Sequence, residues 1–211
     1  MRTPDRDQRG PAVAALCTAL IILLAAIPAA GALSAEYQVF PNGTAYRASV
    51  EISDVSRYEF AETGFMGENV PVTVGDVTIS GNCSPCTYNW SRPWGQVPAI
   101  TFARGNYTIV YIAPLKNNDL QATFTKPYQV NVTIPGEFDV RNPLLAGISS
   151  GANVTRYPDN STSVRWNKSY SFDLRFYSKG QEELLFLFLQ FLVIIGVVLL
   201  LPFVISVRRR E

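Results

Sequence analysis

The residues best equipped for chemistry lie together in VTISGNCSPCTYNWSRPW, residues 77–94. Cys83 and Cys86 form a Cys-x-x-Cys pair there, flanked by Asn-x-Ser sequences at Asn82 and Asn89 and by Trp90 and Trp94. Such a pair suits thiol–disulfide exchange, half of a zinc site, or a disulfide that pins a turn. Which of these applies depends first on the compartment, because outside the cytoplasm two close thiols are normally oxidised.

The two ends of the chain define that compartment. Leu184 to Val207 read LLFLFLQFLVIIGVVLLLPFVISV, with no charge and one polar amide, Gln190. As a helix this run covers about 36 Å, enough to cross a bilayer. Arg208, Arg209 and Arg210 follow at once, so the positive-inside rule places residues 208–211 in the cytoplasm. At the other end, Arg2, Arg6 and Arg9 precede an apolar run from Ala12 to Ile27, then Pro28 and small residues. That order reads as a secretory signal, cleaved after Ala32 or Ser34, or as an uncleaved anchor helix. Cys17 follows the bulky Leu16 and fills the apolar segment rather than carrying a lipid. The expected organisation is a signal or anchor over 1–34, an extracytoplasmic domain over 35–177, a short stalk over 178–183, a membrane helix over 184–207 and a basic tail.

Between residues 36 and 183 there are twelve asparagines, and eight begin Asn-x-Ser/Thr: Asn42, Asn82, Asn89, Asn106, Asn131, Asn153, Asn160 and Asn167. The Ser and Thr frequency predicts about two by chance. This excess points to a glycosylated outer surface. The same region carries 12 basic and 14 acidic residues, a net charge of −2, which is no footprint for nucleic acid. The expected partners are the lipid bilayer and other envelope or membrane proteins.

Strand patterns dominate the elements that must hold these residues. AYRASVEI alternates Tyr46, Ala48, Val50 and Ile52 against polar neighbours, and SYSFDLRFY does the same with Tyr170, Phe172, Leu174 and Phe176. In YQVNVTI, Tyr128, Val130, Val132 and Ile134 share a face, leaving Asn131 and Thr133 on the wetter side. NYTIVYI is apolar on both faces, as a central strand would be. Gly105 reads as a hairpin turn, and Asn160 and Asn167 as turn residues. VRNPLLAGISSG reads as one short helix, with Asn142 as cap, Pro143 in the first turn and Gly151 beyond its end. APLKNNDL, residues 113–120, is the one candidate for a boundary within a single domain. The fold class expected is all-β: a single β-sandwich-like ectodomain with one short helix, a C-terminal transmembrane helix and an N-terminal signal or anchor helix.

The other chemistries lose ground against this frame. Cys-x-Pro-Cys after a strand resembles thioredoxin-like oxidoreductases, but those place the first cysteine at a helix N-terminus. TYNWSRPWG, with Pro93 and Gly95, carries no helical period. The chain contains no histidine, which removes the Ser-His-Asp and Cys-His constellations and leaves two thiolates as half of a four-cysteine zinc set. Glu59 with Glu62, and Glu137 with Asp139, read as solvated carboxylates of strand edges and turns. No catalytic residue, metal ligand or cofactor is assigned. Cys83 and Cys86 are expected to form a structural disulfide, with Trp90 and Trp94 packed over it or standing out as a candidate binding loop.

FDVRNPLLAGISSGANVTRYPDNSTSVRWNKSYSFDLRFYS, followed by the membrane span, resembles a family of archaeal membrane-anchored envelope proteins known only as a domain of unknown function. DVRNPLLAGIS, the later VRW and LRFYS, and the C-terminal anchor carry the likeness, over about residues 137–206. It implies an outward surface location with Asn-linked glycosylation, and it brings no active site. The function expected is a structural or binding role in the envelope. The alternatives are an extracytoplasmic thiol oxidoreductase using Cys83 and Cys86, or an accessory subunit of a transport or secretion complex.

Overall fold

A computed structural model of the protein describes residues 32–208 apart from 65, 66, 82, 84 and 93. The signal or anchor reading therefore falls almost wholly outside the described residues, as do Asn82 and tail residues 209–211. In chain order the elements are β1 (Leu33–Val39), β2 (Ala45–Glu59), β3 (Ala61–Thr63), β4 (Asn69–Pro71), β5 (Gly75–Gly81) and β6 (Asn89–Ser91). There follow β7 (Ala99–Pro114), β8 (Asp119–Ile134), β9 (Phe138–Asp139), β10 (Gly147–Ile148), β11 (Ala152–Arg156), β12 (Thr162–Arg175), β13 (Tyr177–Ser178) and the helix α1 (Lys179–Arg208). Because Leu33 and Ser34 already pair with Tyr128 and Gln129, only cleavage after Ala32 would leave β1 whole.

Nine strands lie in one continuous sheet, ordered β10-β12-β8-β1-β2-β7-β5, with β11 also against β12 and β6 also against β7. β1 pairs in parallel with β8 and antiparallel with β2, so it fills the centre of the sheet. The apolar alternation decides which face is inside. Tyr46, Ala48, Val50 and Ile52 of β2, and Tyr128, Val130, Val132 and Ile134 of β8, are all buried.

Four strands, β2, β7, β8 and β12, are 14 to 16 residues long and bend near their midpoints. The bends are register shifts at Ile52–Arg57 against β7 and at Trp166–Ser171 against β8. Asp54 takes a positive φ at the first, with Gly105 opposite Val55. Trp166 and Phe172 measure the second bend: six residues of straight strand span about 20 Å, yet their ring centroids are 5.3 Å apart. Likewise Tyr37 of β1 meets Phe172 at 5.0 Å, and Phe60, just beyond β2, meets Tyr111 of β7 at 5.2 Å. The sheet folds over on itself, and the halves of its long strands bury their rings against each other.

Several turns expected from the sequence are something else. Gly105 is not a hairpin turn but lies inside β7, where a bulge needs a residue without a side chain beside the Tyr107 ring. Asn167 lies within β12, at its bend, and the one strand joins what read as two. Tyr170 leaves the apolar face of SYSFDLRFY for the same reason: the irregular register around Ser169 turns it outward. APLKNNDL is no boundary but a tight turn from β7 into β8 at Asn117 and Asn118, both at positive φ as a two-residue type I′ turn demands, and beyond the single bridge Lys116–Asp119 the two strands pair with other neighbours. The expected short helix is a single turn. Asn142 does cap it, accepting from Leu144 N–H, but Gly147 and Ile148 then pair with β12 as β10, which stops any helix.

The stretch read as a stalk, 178–183, is not a separate linker, since α1 begins at Lys179 directly after β13. Ser178 and Gln181 explain the start. Their S-x-x-Q spacing is that of a capping box, and Ser178 N–H donates to Gln181 Oε1 at 2.8 Å. α1 is the one helix among the described residues long and apolar enough to cross a membrane.

Candidate functional site

Cys83 and Cys86 are joined by a disulfide, with Cα atoms 4.9 Å apart, in the loop between β5 and β6. Behind it the Tyr88 hydroxyl donates to the Val77 carbonyl at 2.9 Å, tying the loop back to β5. Residues 85–88 are not helical, so no helix dipole is aimed at either sulfur from that side. Among the described residues no group of three or more His, Cys, Asp and Glu side chains is placed to hold a metal. A four-residue disulfide loop adds about 2 kcal/mol through chain entropy. Cys83→Ser is therefore expected to lower stability by about that much or less, read as a small fall in the thermal midpoint of detergent-solubilised protein. No change at all in the midpoint would mean the bond does not clasp the fold.

The two tryptophans part company. Trp90 packs on Phe60 at 5.5 Å and on Tyr88 at 6.1 Å, with the Arg92 guanidinium 4.3 Å above its ring. Trp94, expected to share the packing, is fully exposed. Trp90 is thus the outer end of a row of rings that runs inward through Phe60 to Tyr58 and Tyr111.

That row ends in a cleft the sequence reading did not find. Among the described residues, no strand beyond the first residue of β1 joins the second half of β2 to the first half of β8. The gap is a cavity of about 530 Å³, lined among others by Leu33, Tyr37, Tyr58, Glu62, Tyr111 and Phe124. Burial first, then the neighbouring tyrosines, pushes the hydroxyls of Tyr37, Tyr58 and Tyr111 well above the usual phenol range. They remain protonated and can donate hydrogen bonds at any ordinary pH. Glu62 is raised as well, by burial, against the opposing pull of Lys116 and of the Tyr46 hydroxyl, which lies 3.4 Å from its Oε1. Rings, neutral hydroxyl donors and the charged side chains of Arg57, Glu59, Glu62 and Lys126 equip such a cleft to bind an amphipathic group. Its one trace in the sequence is the polar SDVS break, Ser53–Ser56, which interrupts the apolar alternation of β2.

The sequons spread over the outer faces. Asn42, Asn89, Asn106, Asn153, Asn160 and Asn167 are exposed, while Asn131 is half-buried. Asn131 Oδ1 accepts from Ser163 Oγ at 2.7 Å, in a polar hollow that also contains Asn153 and Arg165. Asn106 Oδ1 accepts from Ser53 Oγ and Asp54 N–H, both at 3.0 Å, and so braces the bend of β2 while its amide nitrogen stays free of that duty.

No curated protein matches the chain significantly. One family model does match, over residues 95–211, which takes in β7 to the end of α1 and leaves the disulfide loop outside. Since that is more than half of the sequence, the chain belongs to this family, described as a family of unknown function, DUF5803.

Proposed function

We propose that the protein is a membrane-anchored, N-glycosylated surface protein whose outward β-domain has a structural or binding role in the envelope. The observation that carries this reading is the placement of the sequons: six of the seven described asparagines are exposed, on a domain that runs straight into an apolar helix. α1 holds the domain at the membrane, with the C-terminus cytoplasmic, and the tyrosine-lined cleft with Trp90 at its outer end is the surface for a partner. The N-terminal segment acts as signal or second anchor.

Peptide mass spectrometry on protein from native membranes tests the reading. Glycans are expected on the exposed sequons, Asn106 and Asn167 at the bends foremost. Asn131 is expected to be least occupied, because it alone among the described sequon asparagines is half-buried. Bare asparagines at every sequon would sink the glycoprotein reading. Cleavage of the arginine tail by protease added to intact cells would reverse the orientation.

A further inference from the structure

We propose that the turn 142–146 is a second membrane contact, a small apolar wedge that inserts into the outer leaflet beside α1. This rests on the reading that α1 spans a membrane.

Three observations carry it. The tip is apolar and bare: Leu144 is 75% exposed. The tip also lies at bilayer depth. Leu145 shares one cavity of about 500 Å³ with Gln181, Leu184, Leu185, Phe188 and Phe191 of α1, and the uncharged run of that helix begins at Leu184. A rise of 1.5 Å per residue puts Phe188 about 13 Å below the start of the helix at Lys179. A loop that borders Leu184 to Phe188 therefore dips past the level where water ends.

The third observation is how the turn treats its own backbone. Peptide groups entering lipid must bring their hydrogen bonds with them. Pro143 has no N–H, Leu144 N–H donates to Asn142 Oδ1 at 3.1 Å, and Leu145 and Ala146 N–H both donate to the Asn142 carbonyl at 3.1 and 2.9 Å. Every N–H of the tip is thus already satisfied by one residue, Asn142. Asn142 is held from above, where its own N–H donates to the Tyr177 hydroxyl at 3.2 Å. Arg141 and Lys179, both exposed, stand on the water side of the wedge, at the level of lipid headgroups. The occupant that fits is acyl chain. The groove is continuous with the surface of a helix that lipid already coats.

Spin labelling of the full chain in phosphatidylcholine vesicles tests this, with Cys17→Ala and the Cys83–Cys86 disulfide intact. Single labels go on Leu144→Cys, on Phe186→Cys of α1 and on Tyr170→Cys at the distant bend of β12. The wedge predicts that the label at 144 is reached readily by oxygen and poorly by a water-soluble nickel chelate, as at 186 and opposite to 170. If 186 reads as lipid and 144 reads as water, the wedge is wrong while the anchor stands. If 186 also reads as water, the anchor reading itself has failed, and the wedge with it. A label at 144 shielded from both reagents overturns the lipid assignment in favour of a protein packed into the groove.

Discussion

Trp166→Ala is expected to cost about 3–5 kcal/mol, the largest loss from any single substitution in the β-domain. Trp166 is 2% exposed, meets the Phe172 ring at 5.3 Å, and its indole N–H points at the Ser149 carbonyl at 3.4 Å. It sits where β12 bends, so its ring fills the angle between the two halves of the strand. The other side chains there come from strands paired on both sides, β8 among them, and cannot collapse inward to fill the void. The same loss should appear as a fall in thermal midpoint on the order of 10 °C, followed by circular dichroism of the detergent-solubilised protein. Trp166→Phe keeps a ring and loses the indole donor, so it should cost less than half as much. A midpoint in the alanine variant within about 2 °C of the parent, under 1 kcal/mol for a domain of this size, would show that the bend is not packed around this ring.

The second large effect concerns the base of the domain. Asp139, 7% exposed, accepts from Val140 N–H at 2.7 Å, from Arg141 N–H at 3.0 Å and from the Arg141 Nε at 2.9 Å. Arg156 adds a longer ion pair at 3.9 Å. β9, which contains Asp139, pairs with β13, the last strand before the helix. Asp139→Ala strands the Val140 and Arg141 donors and should cost about 2–3 kcal/mol. The figure stays below that of a fully buried ion pair because Arg141 is mostly exposed and its charge returns to water.

A pH dependence follows from the same contacts. Burial by itself pushes the Asp139 carboxyl up, but the Arg141 side chain, the Arg141 and Val140 N–H groups and the Arg141 charge outweigh it and hold the group below the usual carboxylate range. A carboxyl depressed in the folded state stabilises the fold fully above its unfolded pKa, about 3.9. That stabilisation fades as pH falls through the lower folded value. The parent should lose stability below about pH 4, and Asp139→Asn should be weaker at neutral pH but lose less on acidification. Equal acid sensitivity in the two proteins would remove Asp139 as the group responsible.

The outward polar faces, the apolar strand faces and the long apolar C-terminal helix were legible in the sequence, because each is a local pattern. Alternation at period two identifies Tyr46 to Ile52 and Tyr128 to Ile134 as inward-facing, and a long uncharged run needs no partner to be recognised as a span. The Cys83–Cys86 pairing was legible as well, since three residues of separation leave the two sulfurs within easy reach. The bends were not. SDVS, ARGN, TKP and NKSYS each carry residues that favour turns, and each lies inside a long strand. A bulge and a reversal draw on the same residues, so what separates them is whether the chain beyond the break pairs with the same neighbour or a new one. Beyond Asn167 the chain pairs again with β8, so β12 bends instead of turning back, whereas beyond Asn118 it departs to pair with β12 and β1, so the Asn117–Asn118 pair is a true reversal of the chain. The sequence by itself thus determined which residues face inward, where the long apolar helix lies, and that two cysteines close a loop. Only the tertiary structure decided that one sheet folds over on itself, because that choice depends on pairings between residues from 28 to 95 positions apart. The tyrosine-lined cleft and the placing of the turn at Leu145 beside the apolar helix exist only as consequences of that fold.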